Sequence, residues 1–176
     1  PAGTNGERRR MTQAERFATL YGIGQLPGAP GTYASLATLP FAWALHWLGG
    51  FWLFLPVILA LVALAWWATR ETLAARGQTD GDPQDIVIDE VAGQLIALWP
   101  LSLGLTLTGA AAHVWPWPGV VAAFLLFRFF DIWKPGPIGW AERLPGATGI
   151  MADDCFAGLA AAMLATIAAG VAHGWF

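Results

Sequence analysis

Residues 51–69 have the sequence FWLFLPVILALVALAWWAT, which contains nineteen residues and no charged side chain. A helix needs about 20 predominantly apolar residues to span the hydrocarbon core of a bilayer. The chain contains further apolar stretches, some of full spanning length and some shorter. They are residues 33–48, 91–115, 119–133 and 155–176. The sequence therefore predicts an all-α integral membrane bundle with about five membrane-embedded helices.

The overall composition agrees with a membrane protein and excludes other classes. Hydrophobic residues make up 56% of the 176 residues and charged residues 12%, about half of the usual ~25%. A net charge of −3 without a basic stripe argues against nucleic-acid binding, and a single cysteine excludes a disulfide scaffold. We expect an N-terminal cytoplasmic segment (residues 1–21), one membrane-embedded domain (residues 22–176) and no obligatory protein partner.

The distribution of charge predicts the orientation in the membrane. Threading the chain through five helices places all nine Lys and Arg residues on one side, including Arg8, Arg9 and Arg10. The positive-inside rule makes that side cytoplasmic. All twelve Asp and Glu residues fall on the same side, whereas the three histidines lie at or near the other side. We interpret these histidines as interfacial residues; they are His46, His113 and His173.

A loop rich in glycine and proline precedes the first predicted helix. Residues 22–35 have the sequence GIGQLPGAPGTYAS. Glycines allow backbone amides to approach a ligand closely, and amides at a helix N-terminus suit an anion such as phosphate. Gly31, Thr32 and Ser35 are therefore candidate phosphate-binding residues. The alternative is an ordinary entry loop in which Thr32 or Ser35 caps the helix.

Acidic residues cluster before the stretch that begins at residue 91. Asp89 and Glu90 are candidate metal ligands, and Asp85 would share a face with Asp89 if this segment were helical. The alternative is that the carboxylates only complement the dipole at the start of a helix. We interpret Asp80, Asp82 and Asp85 as solvated loop residues.

Ionisable side chains interrupt the fourth predicted helix. Arg128 and Asp131 are three residues apart, and Lys134 extends that helix face by another three. Charged groups at membrane depth are costly and mark functional sites. The alternative is an interfacial salt bridge in which Arg128 extends its charged end towards water.

Asp153 and Asp154 follow a loop expected at residues 146–149, and they either cap the last helix or hold a cation. The predicted topology brings this pair onto the same membrane face as the other acidic segments. Clustered carboxylates repel one another unless they bind a cation, and oxygen ligands without His or Cys favour Mg²⁺ over Zn²⁺. The predicted pool of ligands, for one ion or two, is Asp89, Glu90, Asp131, Asp153 and Asp154.

Four blocks of sequence carry a family resemblance. They are PGT at residues 30–32 followed by Ser35, IDEVAG at 88–93, FRxxDxxKPxPI at 127–138 and GIMxDDxxAG at 149–158. In this order they resemble the phosphatidylglycerophosphatase A family. The resemblance implies a Mg²⁺-dependent enzyme of the bacterial cytoplasmic (inner) membrane with its active face in the cytoplasm. It would hydrolyse phosphatidylglycerol phosphate, a phospholipid held in the bilayer, to phosphatidylglycerol and phosphate.

On this resemblance we assign hypothetical roles to the site residues. The catalytic candidates are Asp89, Asp131, Lys134 and Asp154, and the candidates for binding phosphate are Gly31, Thr32, Ser35, Arg128 and Lys134. The nucleophile is either water or an Asp carboxylate. Two alternative functions stay open. One is a phosphatase for another phospholipid monoester such as phosphatidic acid; the other is a divalent-cation transporter, which would need ionisable groups throughout the membrane.

Overall fold

The computed structural model describes residues 11–78 and 83–174, so the predictions for Arg8, Arg9, Arg10, Asp80 and Asp82 lie outside the described residues. All regular secondary structure in the described ranges is helical, which confirms the all-α prediction. The helices are α1 (Gln13–Ala18), α2 (Pro30–Arg76), α3 (Ile88–Leu107), α4 (Trp117–Trp133), α5 (Pro137–Ala141) and α6 (Ala147–Ala172), with a 3₁₀ segment at Leu20–Gln25.

Helix α2 bends sharply at Gly50, which has φ 56° and ψ −153°. Glycine adopts this region of backbone space without a steric penalty because it lacks a Cβ. The bend divides α2 into a first arm (residues 30–49) and a second arm (residues 51–76). The Phe51 amide donates to Thr106 Oγ1 at 2.9 Å, so the bend lies beside the last turn of α3. The two arms correspond to the first two predicted helices.

The two arms run in opposite directions alongside α3. Gly31, at the start of the first arm, packs against the Glu90 side chain near the start of α3. Further along, His46 Nδ1 lies 2.9 Å from Ser102 Oγ. The second arm then returns, because Arg76 at its end hydrogen-bonds to the loop that precedes α3. The outer ends of both arms therefore lie where α3 begins.

Helix α3 is the centre of the bundle and packs against α2, α4 and α6. At Gly93 a Cβ would meet the carbonyl oxygen of Asp154 on α6 and the ring of Phe127 on α4. On the facing helix, a Cβ at Gly158 would collide with the Gly93 carbonyl oxygen. Small residues on both helices allow their backbones to touch, as is common between membrane helices. The close contact places the start of α6 beside the start of α3.

Three described helices, α2, α3 and α6, are long and apolar enough to cross a membrane. Helix α4 is apolar but has only 17 residues. Large apolar side chains lie on the outer surface; Leu48, Trp52 and Trp117 are more than 70% exposed. Such a surface suits lipid, with Trp enriched at the membrane–water interfaces. The protein is thus a helical membrane protein, while the number of five embedded helices stays a prediction.

Two helices begin earlier than the sequence predicts. Helix α2 already includes Gly31 and Thr32 in its first turn. Helix α6 begins at Ala147, so the loop expected at residues 146–149 is wrong except for Gly146, which is the N-cap residue. Glycine has low helix propensity, which explains the error, but tertiary packing outweighs propensity here.

The interpretation of the histidines as interfacial residues is wrong for His46. This side chain is 2% exposed and lies within the bundle beside Ser102. The sequence gives the depth of a residue along a helix, but not which face of the helix points inward. His113 and His173 are exposed, near the ends of α3 and α6 respectively. These helix ends lie opposite the acidic end of the bundle.

Candidate active site

Buried carboxylates meet near the starts of α3 and α6. Asp89 and Glu90 lie in the first turn of α3, and Asp154 lies near the start of α6. One oxygen from each of the three side chains lies within 4.8 Å of the others. Asp89 and Asp154 are 5% and 3% exposed. The Oε2 atom of Glu90 is buried and has no hydrogen-bond partner among the described residues.

Helix α4 adds an ion pair to this group. Arg128 Nη1 lies 2.7 Å from Asp131 Oδ2, and both side chains are 14% exposed. Asp131 also interacts electrostatically with Asp154 and with Glu90. We call Asp89, Glu90, Asp131 and Asp154 the acidic cluster. Four of the five residues in the predicted ligand pool therefore come together.

The fifth residue of the pool, Asp153, contacts Lys134 instead. Lys134 Nζ lies 2.5 Å from Asp153 Oδ2 and 2.8 Å from Glu142 Oε1. Burial alone would lower the pKa of Lys134, but the hydrogen bonds to these carboxylates outweigh burial and raise the pKa above its ordinary value. The expectation that Lys134 extends the helix face of Arg128 is wrong, because α4 ends one residue earlier and Lys134 is left-handed (φ 47°, ψ 54°).

Sequence patterns did not identify Glu142 as part of the site. This residue follows α5 and lies eight positions beyond Lys134. The chain turns at Gly136, which has φ 52°, and α5 then carries it back towards Lys134. Two prolines and the turn at Gly136 break the chain between Lys134 and Glu142, so no continuous helix or strand relates the two residues. The only available signal was a second carboxylate close in sequence to an isolated Lys.

The first turn of α2 faces the acidic cluster. A Cβ at Gly31 would collide with Glu90 Oε1, so a larger residue would displace this carboxylate. Ser35 donates its hydroxyl to the Gly31 carbonyl at 2.9 Å. The N-cap residue is Ala29, without a side-chain cap, so the alternative in which Thr32 or Ser35 caps the helix is wrong. First-turn amides have no intrahelical acceptor, and their use for phosphate stays a prediction.

Asp85 does not share a helix face with Asp89, because α3 begins only at Ile88. Both Asp85 oxygens instead accept hydrogen bonds from Arg76, at 2.8 and 2.7 Å. Arg76 also lies 3.4 Å from Glu15 of α1. This ion-pair group fixes the loop before α3 and lies outside the acidic cluster.

The acidic cluster has the donor chemistry of a site for a hard divalent cation. Its members are all carboxylates, three of them with oxygens close enough to share one ion. Like charges at such separations disfavour ionisation unless a positive charge compensates them. Mg²⁺ binds carboxylate oxygens and usually takes few of them from the protein. The residues present therefore fit Mg²⁺, and Arg128 contributes further positive charge beside Asp131.

The fold and the site define an all-helical membrane protein with a buried acidic centre at one end of the bundle. Comparison with known families identifies the chain more closely. The family model described as "PgpA: Phosphatidylglycerophosphatase A" matches residues 16–169. The chain therefore belongs to the phosphatidylglycerophosphatase A family and is a phosphatase, which confirms the resemblance seen in the sequence.

Individual relatives agree with this family. The chain is 35% identical over 147 residues to "Phosphatidylglycerophosphatase A" of Escherichia coli K12, covering 83% of this chain and 77% of the relative. It is 36% identical over 149 residues to the protein of the same name in Haemophilus influenzae, covering 84% and 83%. It is also 35% identical over 156 residues to "Putative phosphatidylinositol-3-phosphatase" of Bacteroides thetaiotaomicron, covering 86% and 91%. No solved structure matches the chain.

Proposed function

We propose that this phosphatase removes the terminal phosphate from phosphatidylglycerol phosphate, with Mg²⁺ as cofactor, at the cytoplasmic face of the bacterial inner membrane. The observation that carries the proposal is the acidic cluster at one end of an apolar bundle, with three carboxylates within 4.8 Å. The names of the Escherichia coli and Haemophilus influenzae relatives support the substrate. The predicted excess of Lys and Arg at this end supports the cytoplasmic orientation.

In this proposal Asp89, Glu90 and Asp154 hold the cation, and Asp131 lies beside them. When bound, Mg²⁺ supplies positive charge that attracts the phosphate and polarises its P–O bonds. The carboxylates fix the position of that charge because they are buried and their helices are in direct contact at Gly93. A rigid arrangement of this kind avoids reorganisation during the reaction.

The cationic and amide groups around the acidic cluster would bind the phosphate oxygens. Arg128 keeps Nε buried and without a hydrogen-bond partner among the described residues, although Nη1 contacts Asp131. Its guanidinium therefore has donor capacity left for an anion. The first-turn amides of α2, at Gly31 and Thr32, supply further donors at the positive end of a helix dipole. Lys134 provides positive charge nearby through its contact with Asp153.

The lipid would keep its acyl chains in the bilayer while its headgroup enters the acidic end of the bundle. A water molecule then attacks the phosphorus as it loses a proton, the bond to the glycerol oxygen breaks, and that oxygen takes up a proton to leave as the hydroxyl of phosphatidylglycerol. Attack by an Asp carboxylate would instead leave a covalent phosphoenzyme. Rapid quenching with ³²P-labelled substrate distinguishes the two routes, since recovery of labelled protein contradicts direct attack by water.

The first experiment measures phosphate release from phosphatidylglycerol phosphate by the detergent-purified chain, with Mg²⁺ and with EDTA. Asp89→Asn tests the acidic cluster. Asp85→Asn is the matched control, because Asp85 is a nearby carboxylate that binds Arg76 outside the cluster. We expect Mg²⁺-dependent release that Asp89→Asn abolishes and Asp85→Asn retains. Release that persists in EDTA contradicts the metal assignment.

A panel of other lipid phosphates tests the substrate. The Bacteroides relative carries a name that specifies a phosphoinositide, so phosphatidylinositol 3-phosphate belongs in the panel together with phosphatidic acid. Faster hydrolysis of either lipid would keep the reaction class and overturn the proposed substrate. No release from any lipid phosphate by folded, Mg²⁺-loaded protein would overturn the proposal and favour the cation-transport alternative.

A further inference from the structure

A fully buried amide side chain in α3 has no role in the proposed mechanism. Gln94 is 0% exposed, and neither its Nε2 nor its Oε1 atom has a hydrogen-bond partner among the described residues. Burying an amide without partners opposes folding, and an apolar side chain of the same size would avoid the cost. A ligand that supplies the missing partners would explain this residue.

The position of Gln94 connects it to the acidic cluster. It follows Glu90 by four residues, so both side chains lie on the same face of α3. Helical side chains point back towards the N-terminus of their helix. The Gln94 amide is therefore directed towards Glu90, whose Oε2 atom is also buried without a hydrogen-bond partner. The unpaired atoms of Gln94 therefore lie one helical turn deeper in the bundle than the unpaired oxygen of Glu90.

The neighbouring arm of α2 leaves the amide without a hydroxyl donor. Gly31 packs against Glu90, which places the next turns of the first arm at the level of Gln94. The hydroxyls at this level belong to Ser35 and Thr38, and they donate to the carbonyls of their own helix at 2.9 and 2.8 Å. Neither end of the Gln94 amide has a hydrogen-bond partner among the described residues, so a ligand that both donates and accepts would satisfy both ends.

We propose that Gln94 binds the free hydroxyl of the substrate headgroup and thereby determines specificity. This inference rests on the proposed function. A hydroxyl both donates and accepts a hydrogen bond, so one such group satisfies both ends of an amide. In phosphatidylglycerol phosphate the central glycerol carbon carries a free hydroxyl, next to the carbon that bears the terminal phosphate. Four residues of helix rise about 6 Å, which suits a group this close to a phosphate bound by the cation that Glu90 helps to hold.

The test compares phosphatidylglycerol phosphate with a synthetic analogue whose headgroup is a propanediol and therefore lacks that hydroxyl. The wild-type chain, Gln94→Leu and Gln94→Met are assayed on both lipids, and thermal unfolding confirms that each variant is folded. Gln84→Leu is the matched control, since it removes an exposed loop amide. We expect the wild type to prefer the natural lipid by about 10- to 100-fold in kcat/KM, because the analogue leaves a buried amide unpaired.

The variants should lose this preference while they hydrolyse the analogue as fast as the wild type does. If the wild type hydrolyses the two lipids with equal kcat/KM, the inference is wrong, whatever the variants show. Equal losses of kcat/KM on both lipids in folded Gln94 variants also overturn it. The amide would then bind a water molecule or contribute only to packing. A wild type that is active only on other lipid phosphates overturns the proposed function, and this inference with it.

Discussion

Replacing Gly93 with alanine tests whether the contact between α3 and α6 sets the geometry of the acidic cluster. The added Cβ would lie 2.5 Å from Phe127 Cε2 and 2.8 Å from the Asp154 carbonyl oxygen. Favourable contacts between non-bonded heavy atoms begin at about 3.5 Å, so the neighbours must move by about 0.7–1 Å. Because the displaced backbone includes Asp154, its carboxylate moves relative to Glu90.

A displacement of about 1 Å in a catalytic arrangement reduces the rate by roughly 100-fold. Overpacking at a tight contact also destabilises a protein by about 1–3 kcal/mol. We therefore expect Gly93→Ala to lose about two orders of magnitude in kcat, with a lower temperature of unfolding. The assay combines phosphate release from phosphatidylglycerol phosphate with thermal unfolding in the same detergent.

Gly104 provides a matched control on the same helix. A Cβ at Gly104 has nothing within 4 Å, so Gly104→Ala adds the same methyl group without a collision. Alanine is the better helix former by about 1 kcal/mol, and we expect unchanged activity with equal or higher stability. Full activity in Gly93→Ala, or an equal loss of activity in Gly104→Ala, would refute the reasoning.

Three further perturbations have expected outcomes. Lys134→Met removes the cation beside Asp153 and Glu142 and should destabilise the fold by about 2 kcal/mol. This is less than the cost of breaking a fully buried ion pair, because Lys134 is partly exposed, and an unchanged unfolding temperature would contradict it. Arg76→Met removes both hydrogen bonds to Asp85 and should cost about 1 kcal/mol while exposing the loop before α3 to protease; cleavage at the wild-type rate would count against it. Mg²⁺ at about 100 times its Kd should stabilise the wild type by about 2.7 kcal/mol, and equal stabilisation by Na⁺ at matched ionic strength would show a general salt effect.

The convergence of the acidic residues was predictable from the sequence. The number of apolar helices along the chain determines which helix ends lie on the same side of the membrane. That number can be read from the sequence without any knowledge of side-chain contacts. Asp89, Asp131 and Asp154 come from three different helices and lie together in the structure. Pattern and topology were sufficient because the separation of charged from apolar residues along this chain is nearly complete.

Contacts that depend on one backbone conformation or on helix rotation were not predictable. The left-handed conformation of Lys134 turns the chain so that its ammonium meets Asp153 and Glu142, and no regular periodicity encodes that turn. His46 provides a second case, because its burial depends on how the first arm of α2 rotates against α3. Asp85 lies in the loop before α3, as interpreted from the sequence, but its pairing with Arg76 was not predictable from spacing.

The one-sided placement of charge has a consequence for supply of the lipid. Every described Asp, Glu, Lys and Arg lies at or near the end where α3 and α6 begin, while the opposite end carries the Gly50 bend. For the proposed lipid substrate, a site at one end of a membrane bundle would draw from the adjacent leaflet and leave the product there. In a sealed vesicle with uniformly oriented protein, hydrolysis should pause once that leaflet is exhausted. The slow release that follows would then report how fast lipids cross the bilayer.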